Sequence, residues 1–92
     1  MAEAAKLRRR TAKATLTRLN KALKKKLNGN RPREEITEAL QLVKDAYGEL
    51  IIKHDAYTEL IEDDETFEQE EVWLEECQNA YLELETSALD YI

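Results

Sequence analysis

The residues of this chain best suited to chemistry are cationic, and they crowd its front. Lys6, Arg8, Arg9, Arg10 and Lys13 form one cluster; Lys21, Lys24, Lys25 and Lys26 form another, with Arg18 between them. A dense cationic face is enough to hold phosphate, so unspecific nucleic-acid binding is one chemistry this segment could perform. No aromatic side chain interleaves it, which argues against stacking on bases. Lys6 and Arg10, Arg9 and Lys13, and Lys21 and Lys25 stand four apart. Like charges at that spacing destabilise an isolated helix, so something negative must offset them. Acids elsewhere in the chain or an outside anion would serve. An anionic membrane surface is a weaker option, because the apolar residues nearby are Ala and Leu with no aromatic anchor.

His54, the only histidine, and Cys77, the only cysteine, are the other reactive types. His54 could act as a buried pH switch, or as a core histidine bonded to a neighbour. It lacks a glutamate three residues earlier, where Ile51 stands, so no di-iron motif forms. Cys77 paired with His54 could be a nucleophile, but Glu75 and Glu76 beside it oppose a thiolate. A small buried hydrophobe is the better description of it. Glu62-Asp63-Asp64-Glu65 lacks the glycine and ligand spacing of a calcium loop and reads as a helix-starting turn. Trp73 lies one position off an apolar stripe, where it covers a bundle edge or, if exposed, marks an interface. No nucleophile–base pair, phosphate loop or metal set is legible, so no catalytic, cofactor or metal residue is expected, and no small-molecule substrate.

These residues sit in a chain of 92, enough for one small domain with a modest core. The net charge of −6 hides a division. Residues 1–33 carry twelve basic residues and one acid, Glu3, for a net +11. Residues 34–92 carry two basic residues and nineteen acids, for a net −17. A single cysteine excludes an intramolecular disulfide framework. No apolar run approaches the roughly 18 residues of a membrane span. The stretch Met1-Ala-Glu-Ala-Ala-Lys6 has no apolar leader segment. An intracellular, cytoplasmic location is therefore expected.

Three helices must position these groups. Asn28-Gly29-Asn30-Arg31-Pro32 gathers the turn-forming residues, with a glycine expected just past one helix and a proline just inside the next. The first helix is thus expected over about 3–27 and the second over about 32–62. In the second, Ile36, Leu40, Val43, Tyr47, Leu50, His54, Tyr57 and Ile61 alternate four and three apart, a heptad seam. Ala39, Leu42, Ala46, Ile51 and Leu60 broaden it towards a second neighbour. Continuing the same seam would bury Asp64, Glu68, Glu71, Glu75 and Gln78, so the helix must break.

A new stripe then begins: Phe67, Leu74, Cys77, Tyr81, Leu84, Ala88 and Tyr91. Thr66 and Gln69 have capping-box form, and Asp63 and Asp64 are alternative caps, which places the third helix over about 66–91. The first helix has a narrower stripe of Ala5, Ala12, Leu16, Leu19, Leu23 and Leu27. Gly48, inside the second, either admits a bulky neighbour or is simply tolerated. Similar lengths and short connections favour an all-α, up-down-up antiparallel three-helix bundle of coiled-coil character. The competing arrangement pairs the second and third helices as a dimerising hairpin and leaves the first partly free.

Arg8-Arg9-Arg10-Thr11, followed by Leu16-Thr17-Arg18-Leu19 and Leu23, resembles the start of the N-terminal coiled-coil region of Gag-type polyproteins from BEL/Pao-class retrotransposons. The run from Leu40 to Tyr47, Leu50 with His54 and Tyr57, and Trp73-Leu-Glu-Glu-Cys77 leading to Tyr81 resemble it too. The resemblance covers the chain from about Leu7 onward. It implies a structural region of a capsid-forming precursor, or a protein descended from one, and carries over no catalytic residue. The function expected is therefore a non-enzymatic helical module for self-association or a protein partner. Weak nucleic-acid binding through Lys6, Arg8, Arg9, Arg10 and Lys13 is the alternative, and Trp73 or the acidic faces would serve the protein interface.

Overall fold

The computed structural model describes residues 2–92; Met1, which opens the stretch read for a leader, lies outside them. Three helices follow one another, α1 (Ala2–Asn28), α2 (Arg33–Thr58) and α3 (Asp64–Tyr91). At the first break one role changes hands. Gly29 does not adopt a left-handed backbone; Asn30 does, with φ 52°. The Arg31 N–H donates to the Lys26 carbonyl at 3.2 Å and the Asn30 N–H to the Leu27 carbonyl at 3.4 Å, the paired bonds that close a helix end. Asparagine tolerates this conformation because its short polar side chain can hydrogen-bond to the nearby backbone. Pro32 stands just before α2 rather than inside it, and its carbonyl accepts from the N–H groups of Glu35 and Ile36.

The second break also moves. α2 ends at Thr58, four residues before the expected 62, and Leu60, expected to broaden the seam, is exposed. α3 starts at Asp64, and its cap is Asp63, not Thr66. The Asp63 carboxylate accepts from both the N–H and the hydroxyl of Thr66, each at 2.7 Å, so Thr66 is occupied as a donor. These bonds hold the Asp63 carboxyl below the usual aspartate range.

The helices run up, down and up. Lys26 pairs with Glu35 across the first turn, and the Tyr91 hydroxyl at the end of α3 donates to the Arg31 carbonyl at 2.6 Å. The packing is closest between α1 and α2, so α1 is a full member of the bundle and the freed-helix arrangement does not occur. Small residues at the contact, Ala5, Ala12, Ala39 and Ala46, let the two backbones approach. Leu16, Leu23, Ile36, Val43 and Leu50 form the centre, and α3 covers it with Cys77, Tyr81, Leu84 and Ala88. Tyr47 and Tyr81 stack at 4.2 Å. Leu42 and Phe67, expected to extend apolar stripes, are exposed instead. Among the described residues nothing lies within contact distance of a side chain added at Gly48, so no bulky neighbour explains it.

Candidate functional site

The three seams do not stay apolar along their whole length. On α1, Ala5 and Ala12 are seven apart, and the seam position between them is Arg9. Arg9 is only 6% exposed. On α3, the seam position one heptad before Cys77 is Glu70, and on α2 it is His54, with no exposed surface. The bundle brings these three positions into one layer.

The Arg9 guanidinium makes a short ion pair with the Glu70 carboxylate. Its Nη1 lies 3.3 Å from His54 Nδ1. A guanidinium only donates, so Nδ1 accepts and the ring proton sits on Nε2. Nε2 then donates to Glu71 Oε1 at 3.3 Å. Aromatic faces close the layer. The guanidinium carbon is 4.1 Å from the Trp73 ring centre and 4.6 Å from that of Tyr57, and Trp73 stacks on His54 at 5.9 Å. Arg9 therefore occupies an internal aromatic cage, where cation–π attraction is strengthened by exclusion of water.

Two expectations change. Arg9 is not a contact for an outside anion, because its charge is already met by Glu70 inside the bundle. Trp73 is half-buried and committed to Arg9 and His54, so it covers an edge rather than standing out as an interface. The exposed large apolar residues are others, among them Leu7, Leu42, Ile52, Val72, Leu82 and Leu89. His54 has both ring nitrogens engaged, and neither is directed at Cys77. Burial pushes the Cys77 thiol up, against the lowering effect of Lys13 and Arg9, so the thiol form is favoured.

The remaining candidates stay on the surface. Lys6, Arg8 and Arg10 are exposed, and Lys13 is half-buried with its amine donating to the Thr17 hydroxyl at 3.1 Å. Of the ten cations on α1, only Arg9 and Lys26 pair with a carboxylate among the described residues. The other eight run the whole helix, from Lys6 to Lys25. Internal neutralisation by the acids of α2 and α3 is thus mostly absent. Instead α1, with its ten cations and Glu3, is net +9, and α3 carries ten acids and no base. Three of the α3 acids have partners, Glu70 with Arg9, Glu71 with His54 and Glu85 with Lys44, and Glu35 of α2 has two. Arg31, chiefly by hydrogen bonds, and Lys26 hold the Glu35 carboxyl below its ordinary value. Among the described residues no group of three or more acids, histidines or cysteines is placed to hold a metal ion, and no helix is long and apolar enough to cross a membrane.

Compared with known proteins, the chain matches no family model, no curated protein and no solved structure. Its likeness to Gag-type polyproteins rests on the residue pattern alone.

The buried layer left several signals in the sequence: His54 stands on the α2 seam, and the α3 stripe skips Glu70 between Phe67 and Leu74. The apolar stripe of α1 skips one heptad position between Ala5 and Ala12, and Arg9 is the residue in the gap. A stripe traced by apolar residues alone passes over it.

Proposed function

We propose that this chain is a non-enzymatic helical module that works by association, with itself or with a protein partner. The observation that supports this reading is the division of its surface. Among the described residues one helix shows eight cations without carboxylate partners, another carries acids and no base, and large apolar side chains stand exposed beside both. Exposed apolar groups rimmed by charge are the usual mark of an interaction surface. A structural region of a capsid-forming precursor, the role implied by the resemblance to Gag-type polyproteins, is one such module. Light scattering over a range of concentrations at low salt tests self-association. The expected mass rises above that of one chain; a constant single-chain mass at the highest concentration removes this form of the proposal.

A second reading is favoured by the same eight cations: unspecific nucleic-acid binding along α1. Arg8 and Arg10 would contact phosphate, with Lys6 and Lys13 beside them and Arg9 excluded by its burial. Titration with single- and double-stranded RNA and DNA at two salt concentrations distinguishes it. Binding at low salt that fades at high salt is expected for phosphate contacts. No binding at low salt removes this reading.

A further inference from the structure

Two unpartnered surfaces of this molecule fit each other. The first is a groove between α1 and α2, on the side away from α3. Its wider part, about 400 Å³, is walled by Leu7, Thr11, Ala12, Thr15 and Ala46. It continues past Leu19, Ala22 and Leu42, and its α2 side carries Glu35, Glu38, Glu49 and Lys53. Leu7 and Leu42 are 55% and 53% exposed. Along the α1 rim stand Arg8, Arg18 and Lys25, none paired with a carboxylate among the described residues; Arg18 donates to Thr15 on the groove wall at 3.2 Å. The second surface is the outward side of α3. Val72, Leu82 and Leu89 are exposed there, with Glu76, Glu83 and Asp90 in a row at heptad spacing alongside.

We propose that the outward side of α3 of one copy docks into the α1–α2 groove of a second copy. The inference rests on the self-association reading and names its interface. Lengths agree. Val72 to Leu89 covers about 26 Å of helix, and Leu7 to Ala22 about 23 Å, at ~1.5 Å per residue. Charges agree along the α1 rim, where the acidic row would lie, away from the acids of the α2 side. Arg18 and Lys25 are one heptad apart, as are successive members of the acidic row, so both repeat at about 10.5 Å. Groove-to-groove pairing is opposed, because it brings together two helices of net +9. The groove and the outward side of α3 lie on opposite sides of the bundle. A second copy therefore cannot return the contact to the first, and association proceeds head to tail. Salt weakens it by screening the rim.

Two variants test the contact, each spoiling one surface. Leu7→Glu with Leu42→Glu places acids in the groove; Leu82→Lys with Leu89→Lys places cations on α3. All four positions are exposed, so circular-dichroism melting should match the parent chain. By light scattering, the parent should exceed one chain in mass, and each variant alone should stay at one chain. Their equimolar mixture should form a two-chain species and nothing larger, because one intact groove meets one intact α3. Parent-like association of both variants, or loss in the groove variant only, overturns the proposed interface while leaving self-association intact. A parent of single-chain mass overturns the self-association reading itself. If either variant melts differently, Arg18→Glu and Glu83→Lys repeat the test through charge alone at exposed positions. Failure of that mixture to form two-chain species, with the parent associating, also overturns the interface.

Discussion

The two ends of this bundle are built on the same three seams with opposite materials. Near the first turn, Leu23 of α1, Ile36 and Leu40 of α2, and Leu84 and Ala88 of α3 meet as apolar groups. At the other end the equivalent seams bring Arg9, His54 and Glu70 together. Apolar contact is strong but carries no direction, and leucines packed on leucines accept a slipped neighbour at modest cost. Arg9 accepts no such slip, because a displaced Glu70 would leave a buried charge without its partner. The apolar end supplies most of the burial, and the polar end is expected to select which alignment of the three helices is allowed. A buried ion pair need not add net stability over apolar residues of the same size, so the contribution expected of it here is to register.

Substitutions that exchange the two materials break this comparison. The largest effect is expected from Leu50→Asp, which places a carboxylate at a fully buried apolar position. The variant should show no cooperative melting transition by circular dichroism. Next is Arg9→Met, which leaves Glu70 and His54 Nδ1 without their donor. Urea denaturation should show a loss of about 3–5 kcal/mol, the range for removing one partner of a buried pair. Arg9→Met combined with Glu70→Leu should recover most of that loss while loosening helix alignment.

Alkaline pH probes the apolar half through Tyr81. Burial first, and then its hydrogen bond to Glu85, push this phenol up to about 12 from the ordinary 10.0. The folded chain holds that proton more tightly than the unfolded chain does. The resulting stability is complete below pH 10 and is lost as pH climbs towards about 12. Melting temperature should fall across that window in the parent and less in Tyr81→Phe. The smallest effect sharpens the comparison by lying outside both ends. Gly48→Ala, with open space at the added side chain, should raise stability by about 0.5–1 kcal/mol in urea.

Much of this fold is legible from apolar spacing. The seam of α2 from Ile36 to Tyr57 and the later seam of α3 from Cys77 to Ala88 lie where the heptads place them. Helix ends are less legible, because rival side chains can make the same hydrogen bond. Asp63 takes the cap that Thr66 could have taken, and Asn30 the turn position that Gly29 could have taken. The polar layer is the least legible part. Arg9 and Glu70 look like surface residues in clusters of like charge, and only the pairing of α1 with α3 makes their burial tolerable. Hence the arginine triplet at Arg8–Arg10 reads as one patch, although its middle member faces inward and its neighbours face solvent.

That difference between adjacent residues of one type can be read directly. A nitrogen-detected NMR spectrum of the arginine side chains, assigned by single Arg→Lys variants, compares Arg8, Arg9 and Arg10 in one sample. Arg9 lies between the faces of Trp73 and Tyr57 and donates to Glu70. Its guanidinium protons should be shifted by the rings and protected from exchange, while those of Arg8 and Arg10 average with solvent. Three equivalent, rapidly exchanging arginines would contradict the internal polar layer and the division of α1 built on it.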